Sequence, residues 1–174
     1  MAIELLEVIY NRNSCRNFLD KPIEEWMLEN LLEAMRRAPS AGNIQPWHFF
    51  AILNQKIKNK LANAAYGQGF IAKAPVVFVV CVNPIRSSLG YGKRGRSLYC
   101  IQDAAAATEN LLIAAEAMEL AGCWVGAFNE EKAAKVLNLT SYLRPVAMVP
   151  IGYPVQKRGP THKNSIEKVT TIIR

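Results

Sequence analysis

Val76-Val77-Phe78-Val79-Val80-Cys81-Val82 is apolar at every position, and Ala74-Pro75 leads into it. A strand with one wet face alternates apolar and polar residues, whereas a short unbroken apolar run reads as a strand covered on both faces. Such a strand needs helices on each side, and the flanking sequence supplies them. Upstream, Trp47–Leu53 reads as a strand and Gln55–Ala65 as a helix. Further back, Met27, Leu28, Leu31, Leu32 and Met35 give residues 23–37 one apolar helical face, with Pro22 near the first helical position and Pro39 as the stop. Residues 3–10 form a short amphipathic helix. Downstream, Asp103–Ala121 is rich in Ala, Leu and Glu, with Asp103 suited to its start and Gly122 to its end. Between Ile113 and Leu120 only Glu116 and Glu119 are charged, so this helix belongs in a core or a subunit interface. Cys123–Phe128 reads as a strand or loop edge, Glu130–Leu137 as a helix and Val146–Gly152 as a last strand. Helices and strands alternate, which makes the class α/β or mixed α+β.

The chain has 174 residues, enough for one domain with a continuous core, and neither repeats nor a low-complexity linker divide it. Its 51% apolar share excludes a disordered chain. No apolar run approaches the ~18–20 residues that cross a bilayer. The start, Met1-Ala2-Ile3-Glu4-Leu5-Leu6-Glu7, is acidic and amphipathic and does not resemble a secretory signal. Cys15, Cys81, Cys100 and Cys123 are widely spaced and show no metal-binding pattern. These features read as a soluble, reduced, cytoplasmic protein. The net charge of +7 calls for an anionic partner and does not by itself choose among nucleic acid, a membrane surface and a phosphorylated small molecule.

Several catalytic machines are excluded by spacing. Gly90-Tyr91-Gly92-Lys93-Arg94-Gly95 is not a phosphate-binding P-loop, because Arg94 follows the lysine and Ser87 holds the required earlier glycine position. There is no GxGxxG between strand and helix, no HExxH and no GxSxG, and His48 and His162 are the only histidines. Without a nucleophile–base pair, chemistry in this chain falls to a bound cofactor.

Polar residues converge in three segments. Arg12-Asn13-Ser14-Cys15-Arg16-Asn17-Phe18 sets two guanidiniums four residues apart, a donor set for phosphate or carboxylate or else a solvated basic turn. Ala38-Pro39-Ser40-Ala41-Gly42-Asn43-Ile44-Gln45-Pro46-Trp47 concentrates hydroxyl and amide side chains in a loop, more of them than a turn needs. After Gly152-Tyr153-Pro154, the residues Lys157, Arg158, Thr161, His162 and Lys163 form either a cationic grip or a charged tail. The glycine-punctuated stretch Arg86–Arg96, with Lys93 and Arg94, reads as a lid or a surface loop.

Taken together, these motifs resemble the flavin-dependent nitroreductase family. The resemblance rests on Arg12-x-Ser14-x-Arg16-x-Phe18, on Pro39-Ser40-x-x-Asn43-x-Gln45-Pro46-Trp47, and on Ala74-Pro75 before the apolar strand. It continues with Asp103 and Asn110 on the Ala-rich helix, Gly122-Cys123-Trp124-Val125-Gly126-Ala127-Phe128, and Gly152-Tyr153-Pro154. It covers nearly the whole chain.

The resemblance implies an α+β fold, with a mixed central sheet flanked by helices, in an intertwined homodimer with FMN at the interface. It implies one domain over 1–174, with the tail 153–174 contributing to phosphate binding and dimer packing. By the same resemblance, Arg12 and Lys163 would meet the FMN phosphate, and Asn13 and Ser14 would lie along the ribityl chain or ring edge. Arg16 would polarise N1 and the C2 carbonyl, and Gln68 would reach the pyrimidine edge. Gly126 and Ala127 would bring backbone to the ring near N5. Pro39, Ser40 and Asn43 would come from the partner subunit, with Gln45 nearby. Thr161 stands where the family often has a basic residue. The implied activity is ping-pong reduction of nitroaromatics, quinones or related acceptors by NAD(P)H, with hydride carried on flavin N5 and no catalytic side chain or metal. The partners would be a second copy and a small-molecule acceptor, with no nucleic acid and no membrane. Other readings are a same-fold flavoprotein that dehalogenates, reduces enones or fragments flavin, a flavin binder without turnover, and a basic nucleic-acid-binding module.

Overall fold

The computed structural model of the chain describes residues 2–157 and 159–174; Arg158, grouped above with the cations after Pro154, lies outside the described residues. In chain order the elements are α1 (Ala2–Asn11), α2 (Glu25–Arg36), β1 (Trp47–Ile52), α3 (Gln55–Ala64), α4 (Phe70–Lys73) and β2 (Val76–Val82). They continue as α5 (Pro84–Arg94), α6 (Cys100–Ala117), β3 (Ala121–Gly122), α7 (Glu130–Val136), β4 (Arg144–Gly152) and α8 (Ile166–Val169).

All seven residues of β2 are buried. It pairs antiparallel with β1 on one side and β4 on the other, which bonds its backbone, and the sheet order is β1-β2-β4-β3. Alternate side chains then serve two separate cores. Val76, Phe78, Val80 and Val82 meet Met27, Leu28, Leu31 and Met35 of α2 and Ala104, Leu111 and Ala115 of α6. Val77, Val79 and Cys81 meet Leu61 of α3, Ile71 of α4 and Ala133 of α7. The unbroken apolar pattern thus has its cause in two helical layers. All three ladders of the four-stranded sheet are antiparallel, and an isolated parallel bridge from Ser14 to Gly122 lies at its β3 edge. Among the described residues no helix is long and apolar enough to cross a membrane.

Two sequence-based expectations change. The stretch 86–96 is not a loop. Asn83 caps α5 by accepting from the Arg86 amide at 2.9 Å, Pro84 occupies the first turn, and the helix tolerates Gly90 before breaking at Tyr91 and Gly92. A π-helical turn, Gly95–Tyr99, then leads directly into α6. The Ala-rich helix accordingly begins at Cys100, not Asp103, and ends at Ala117, not Ala121. Its stop is Glu119, left-handed at φ 59°, with Leu120 N–H donating to Ala115 O at 2.9 Å and Glu119 N–H to Glu116 O at 3.1 Å. That is a Schellman closure on a non-glycine residue, which frees Ala121 and Gly122 to pair with β4 as β3.

Residues 153–155 dock beside the Arg12–Phe18 segment. Leu19 N–H donates to Tyr153 O at 2.9 Å and Val155 N–H to Asn17 O at 3.1 Å. From Gly159 onward every residue is exposed, and Ile166, Val169, Ile172 and Ile173 are 72%, 67%, 74% and 92% accessible. The apolar tail therefore finds no cover in its own chain.

Two outcomes test this core. Phe78→Ala should destabilise the fold by about 3–5 kcal/mol in urea titration, because the fully buried ring leaves a cavity between β2 and the helices covering it. Burial also pushes the Cys81 thiol up to about 12. At pH 8 its alkylation in the native protein, followed by mass spectrometry, should be about a thousandfold slower than in denaturant.

Candidate functional site

The Arg12–Phe18 segment leaves α1 extended and runs along the sheet's β3 edge. Cys15 N–H donates to Gly122 O at 2.9 Å. Extended backbone alternates its side chains, so Cys15 points inward and is buried while Ser14 and Arg16 lie outward. Ser14 and Arg16 both act on Cys123: burial raises its thiol pKa, and the Arg16 charge and the Ser14 hydrogen bond oppose that rise. The Arg16 guanidinium lies 5.8 Å from the centre of the Phe70 ring and has no carboxylate partner among the described residues.

Gln68 belongs to the same group. Its side-chain amide donates to Ala65 O at 3.0 Å and to Ala127 O at 2.9 Å. Both donor hydrogens hold the chain in place, which leaves the amide oxygen for a ligand. Gly126 and Ala127 are exposed, and a Cβ built on Gly126 meets nothing within 4 Å. This stretch can therefore receive a flat group against its backbone.

Arg12 faces the other way. It is half-buried and pairs with Glu109 of α6 at 3.5 Å, and it also acts on Glu116, whose carboxyl is pushed up chiefly by burial. Asn13 donates to Asn11 O at 3.0 Å and lines a cavity of about 330 Å³ that Glu116 and Glu119 share. Beside it, a cleft of about 260 Å³ is lined by Arg16, Asn17 and Gln156. The Arg16 side is thus purely cationic, and the Arg12 side is electrostatically mixed. Lys163 and Thr161 sit in the exposed tail.

The loop 39–45 forms a second group. Ser40 Oγ accepts from Gln45 N–H at 3.0 Å, and the Gln45 side-chain amide donates to Asn43 Oδ1 at 2.9 Å. Gly42, Asn43 and Gln45 take φ values of 56°, 54° and 52°. Only Gly42 adopts that region without steric cost; Gln45 in particular is strained by about 1 kcal/mol or more. The loop leans on α5 and α6: Ala41 N–H donates to Asp103 Oδ1 at 3.0 Å, and the Tyr91 ring sits under Gly42. Among the described residues no hydrogen bond or ion pair joins Ser40, Asn43 or Gln45 to Arg16, Gln68 or Gly126. The described contacts therefore leave two separate polar groups.

The sequence profile of the Nitroreductase family matches residues 9–71 and 64–153, which take in both groups. The chain belongs to the nitroreductase family. An Archaeoglobus fulgidus protein with the provisional name NADH dehydrogenase/NAD(P)H nitroreductase is 33% identical over 89% of this chain and 88% of its own. The FMN reductase (NADPH) of Bacillus subtilis is 25% identical over 88% of this chain and 67% of its own. A crystal structure from Parabacteroides distasonis, under the same provisional name as the archaeal protein, superposes with a TM-score of 0.86 at 30% identity over 97% of each chain.

Among the described residues no three His, Cys, Asp or Glu side chains group together. Sequence reading missed Phe70 under Arg16, Glu109 against Arg12 and Tyr91 under Gly42, because each contact is long-range. Asp103 was legible as a helix start and as part of the family pattern, but not its bond to Ala41, which spans 62 residues.

Gly42→Ala should disturb the loop on two counts, the left-handed φ and a new Cβ only 2.5 Å from the Tyr91 hydroxyl. The expected result is a loss of about 1–2 kcal/mol in a urea titration, from the backbone strain and the displaced Tyr91 ring.

Proposed function

We propose that the chain is an FMN-dependent oxidoreductase that uses NAD(P)H to reduce nitroaromatics, quinones or related electron-poor acceptors. The observation that carries this reading is the exposed Arg16 guanidinium, set against Phe70 and without a carboxylate partner among the described residues, in a chain whose Gly126 backbone is also open. A cation without a carboxylate partner fits the pyrimidine edge of a flavin, where negative charge gathers on reduction. The FMN reductase name of the Bacillus relative supports the same group. The Arg12 side fits a phosphate once Glu109 is displaced, because the 3.5 Å pair is loose and its acid half-exposed.

FMN, when bound, would supply hydride acceptance from NAD(P)H and electron delivery to the acceptor. Arg16 would hold the ring edge and stabilise charge at N1 and the C2 carbonyl. The Gln68 oxygen would accept a hydrogen bond from the ring's pyrimidine edge. Gly126 and Ala127 would offer backbone to the ring, since Gly126 carries no side chain. Asn13 and Ser14 would line the ribityl path, and Arg12 with Lys163 would take the phosphate. No side chain of this chain needs to transfer a proton or attack, so donor and acceptor can occupy one open cleft in turn, which is the ping-pong order.

Read as half-sites, the two groups call for two subunits. Pro39, Ser40, Asn43 and Gln45 of one copy would complete the Arg12–Phe18 group of the other. The exposed Ile166, Val169, Ile172 and Ile173 would cover apolar surface on the partner, making residues 1–174 one intertwined domain in a homodimer. A cytoplasmic setting accords with four buried free thiols.

The purified chain should be yellow, with flavin absorbance bleached by NAD(P)H and restored by a quinone. Arg12→Ala should lose FMN about tenfold more readily, judged by flavin retained after gel filtration. A colourless dimer that takes up no flavin on reconstitution would sink the assignment.

A further inference from the structure

We infer that Asp103 is the positioning residue that sets the second half-site, holding loop 39–45 in its left-handed conformation through the Ala41 amide. The inference rests on the flavin reading above for what that loop serves; the anchor itself stands on geometry. Asp103 lies in the first turn of α6, 6% exposed, and its Oδ1 accepts from Ala41 N–H at 3.0 Å. Its second oxygen, Oδ2, is buried without a hydrogen-bond partner. An aspartate in such a place is expensive, since a buried carboxylate with one bare oxygen loses solvation it does not recover.

Ordinary reasons for an acid near a helix start do not apply. Asp103 caps nothing: the π-helical turn runs into α6, and the Cys100 amide already donates to Gly95 O. A dipole-stabilised acid would also titrate low. Burial instead pushes this carboxyl up, with the Ala41 N–H the one opposing influence. The nearest titratable neighbour on its own helix is Cys100, which in turn feels Arg144 of β4. What Asp103 does contact is the amide immediately before Gly42 and Asn43. That amide opens the strained turn, so fixing it fixes the direction in which Ser40, Asn43 and Gln45 leave the helix layer. Tyr91 under Gly42 supports the turn from the other side and is itself edge-on to Tyr99, 5.3 Å between ring centres. The carboxylate is kept at a stability cost because a strained, ligand-facing loop depends on one acceptor.

Opposite movements of stability and flavin affinity are the signature. Asp103→Leu removes the buried charge and the acceptor together. Its melting temperature should stay level or rise, while the dissociation constant for FMN rises about tenfold or more. Hydrogen exchange at the Ala41 amide, measured without flavin, should quicken about tenfold. Asp103→Asn keeps an oxygen for Ala41 and should hold both readouts within about twofold of the parent. Asp103→Ala, which cannot overpack, should repeat the Leu result in exchange and affinity.

Unchanged Ala41 exchange in Asp103→Leu and Asp103→Ala overturns the anchor. Faster exchange with unaltered FMN affinity overturns its role in the site. Affinity that falls only in step with melting temperature across the three variants shows a plain core residue and overturns it too. If the parent chain takes up no FMN, the flavin reading fails, a result separate from the flavin-free exchange at Ala41.

Discussion

A strand buried on both faces leaves the chain few choices. The seven residues of β2 have no contact with water, so β1 and β4 must bond its backbone on both edges and a helical layer must cover each face. α2 and α6 close one side, and α3, α4 and α7 close the other. Once these layers are in place, the clustered polar groups are left to the rims: the β3 edge, where Arg12–Phe18 runs, and the start of α6, where loop 39–45 rests. The site is made of what the core could not absorb.

Charge is distributed along those rims with a purpose. The two arginines of the first segment are not equivalent. Arg12 is already engaged by Glu109 and Glu116, whereas Arg16 lies against the Phe70 ring with no carboxylate partner among the described residues. Under the proposed function, the loose Arg12–Glu109 pair would yield to a phosphate, and Arg16 would tune the ring. Asp103 is the third member of this arrangement, an acid spent on geometry rather than charge.

Much of this was legible beforehand. The β2 limits and the α2 apolar stripe follow from local rules, whereas the helix after Asn83 was read as a lid or surface loop because glycines punctuate it. Gly42 signalled a special turn because no other residue adopts its φ cheaply, but nothing local reveals that Asn43 and Gln45 share that region. The stop of α6 was misplaced for the same reason: a left-handed Glu119 carries no compositional mark, while Gly122, the obvious terminator, was needed in β3, where its edge position receives Ser14.

By itself the sequence determined the layers and the residue types at each rim, because burial periodicity and backbone propensity act over a few neighbours. It also fixed the family, through motifs whose order is linear. Only the tertiary structure decided which arginine lacks a carboxylate partner among the described residues, which acid is buried and which loop amide it meets, and that the two polar groups share no hydrogen bond. Those outcomes depend on contacts between residues far apart in the chain, Asp103 with Ala41, Arg12 with Glu109 and Gln68 with Ala127, whose energies exist only after the core has brought them together.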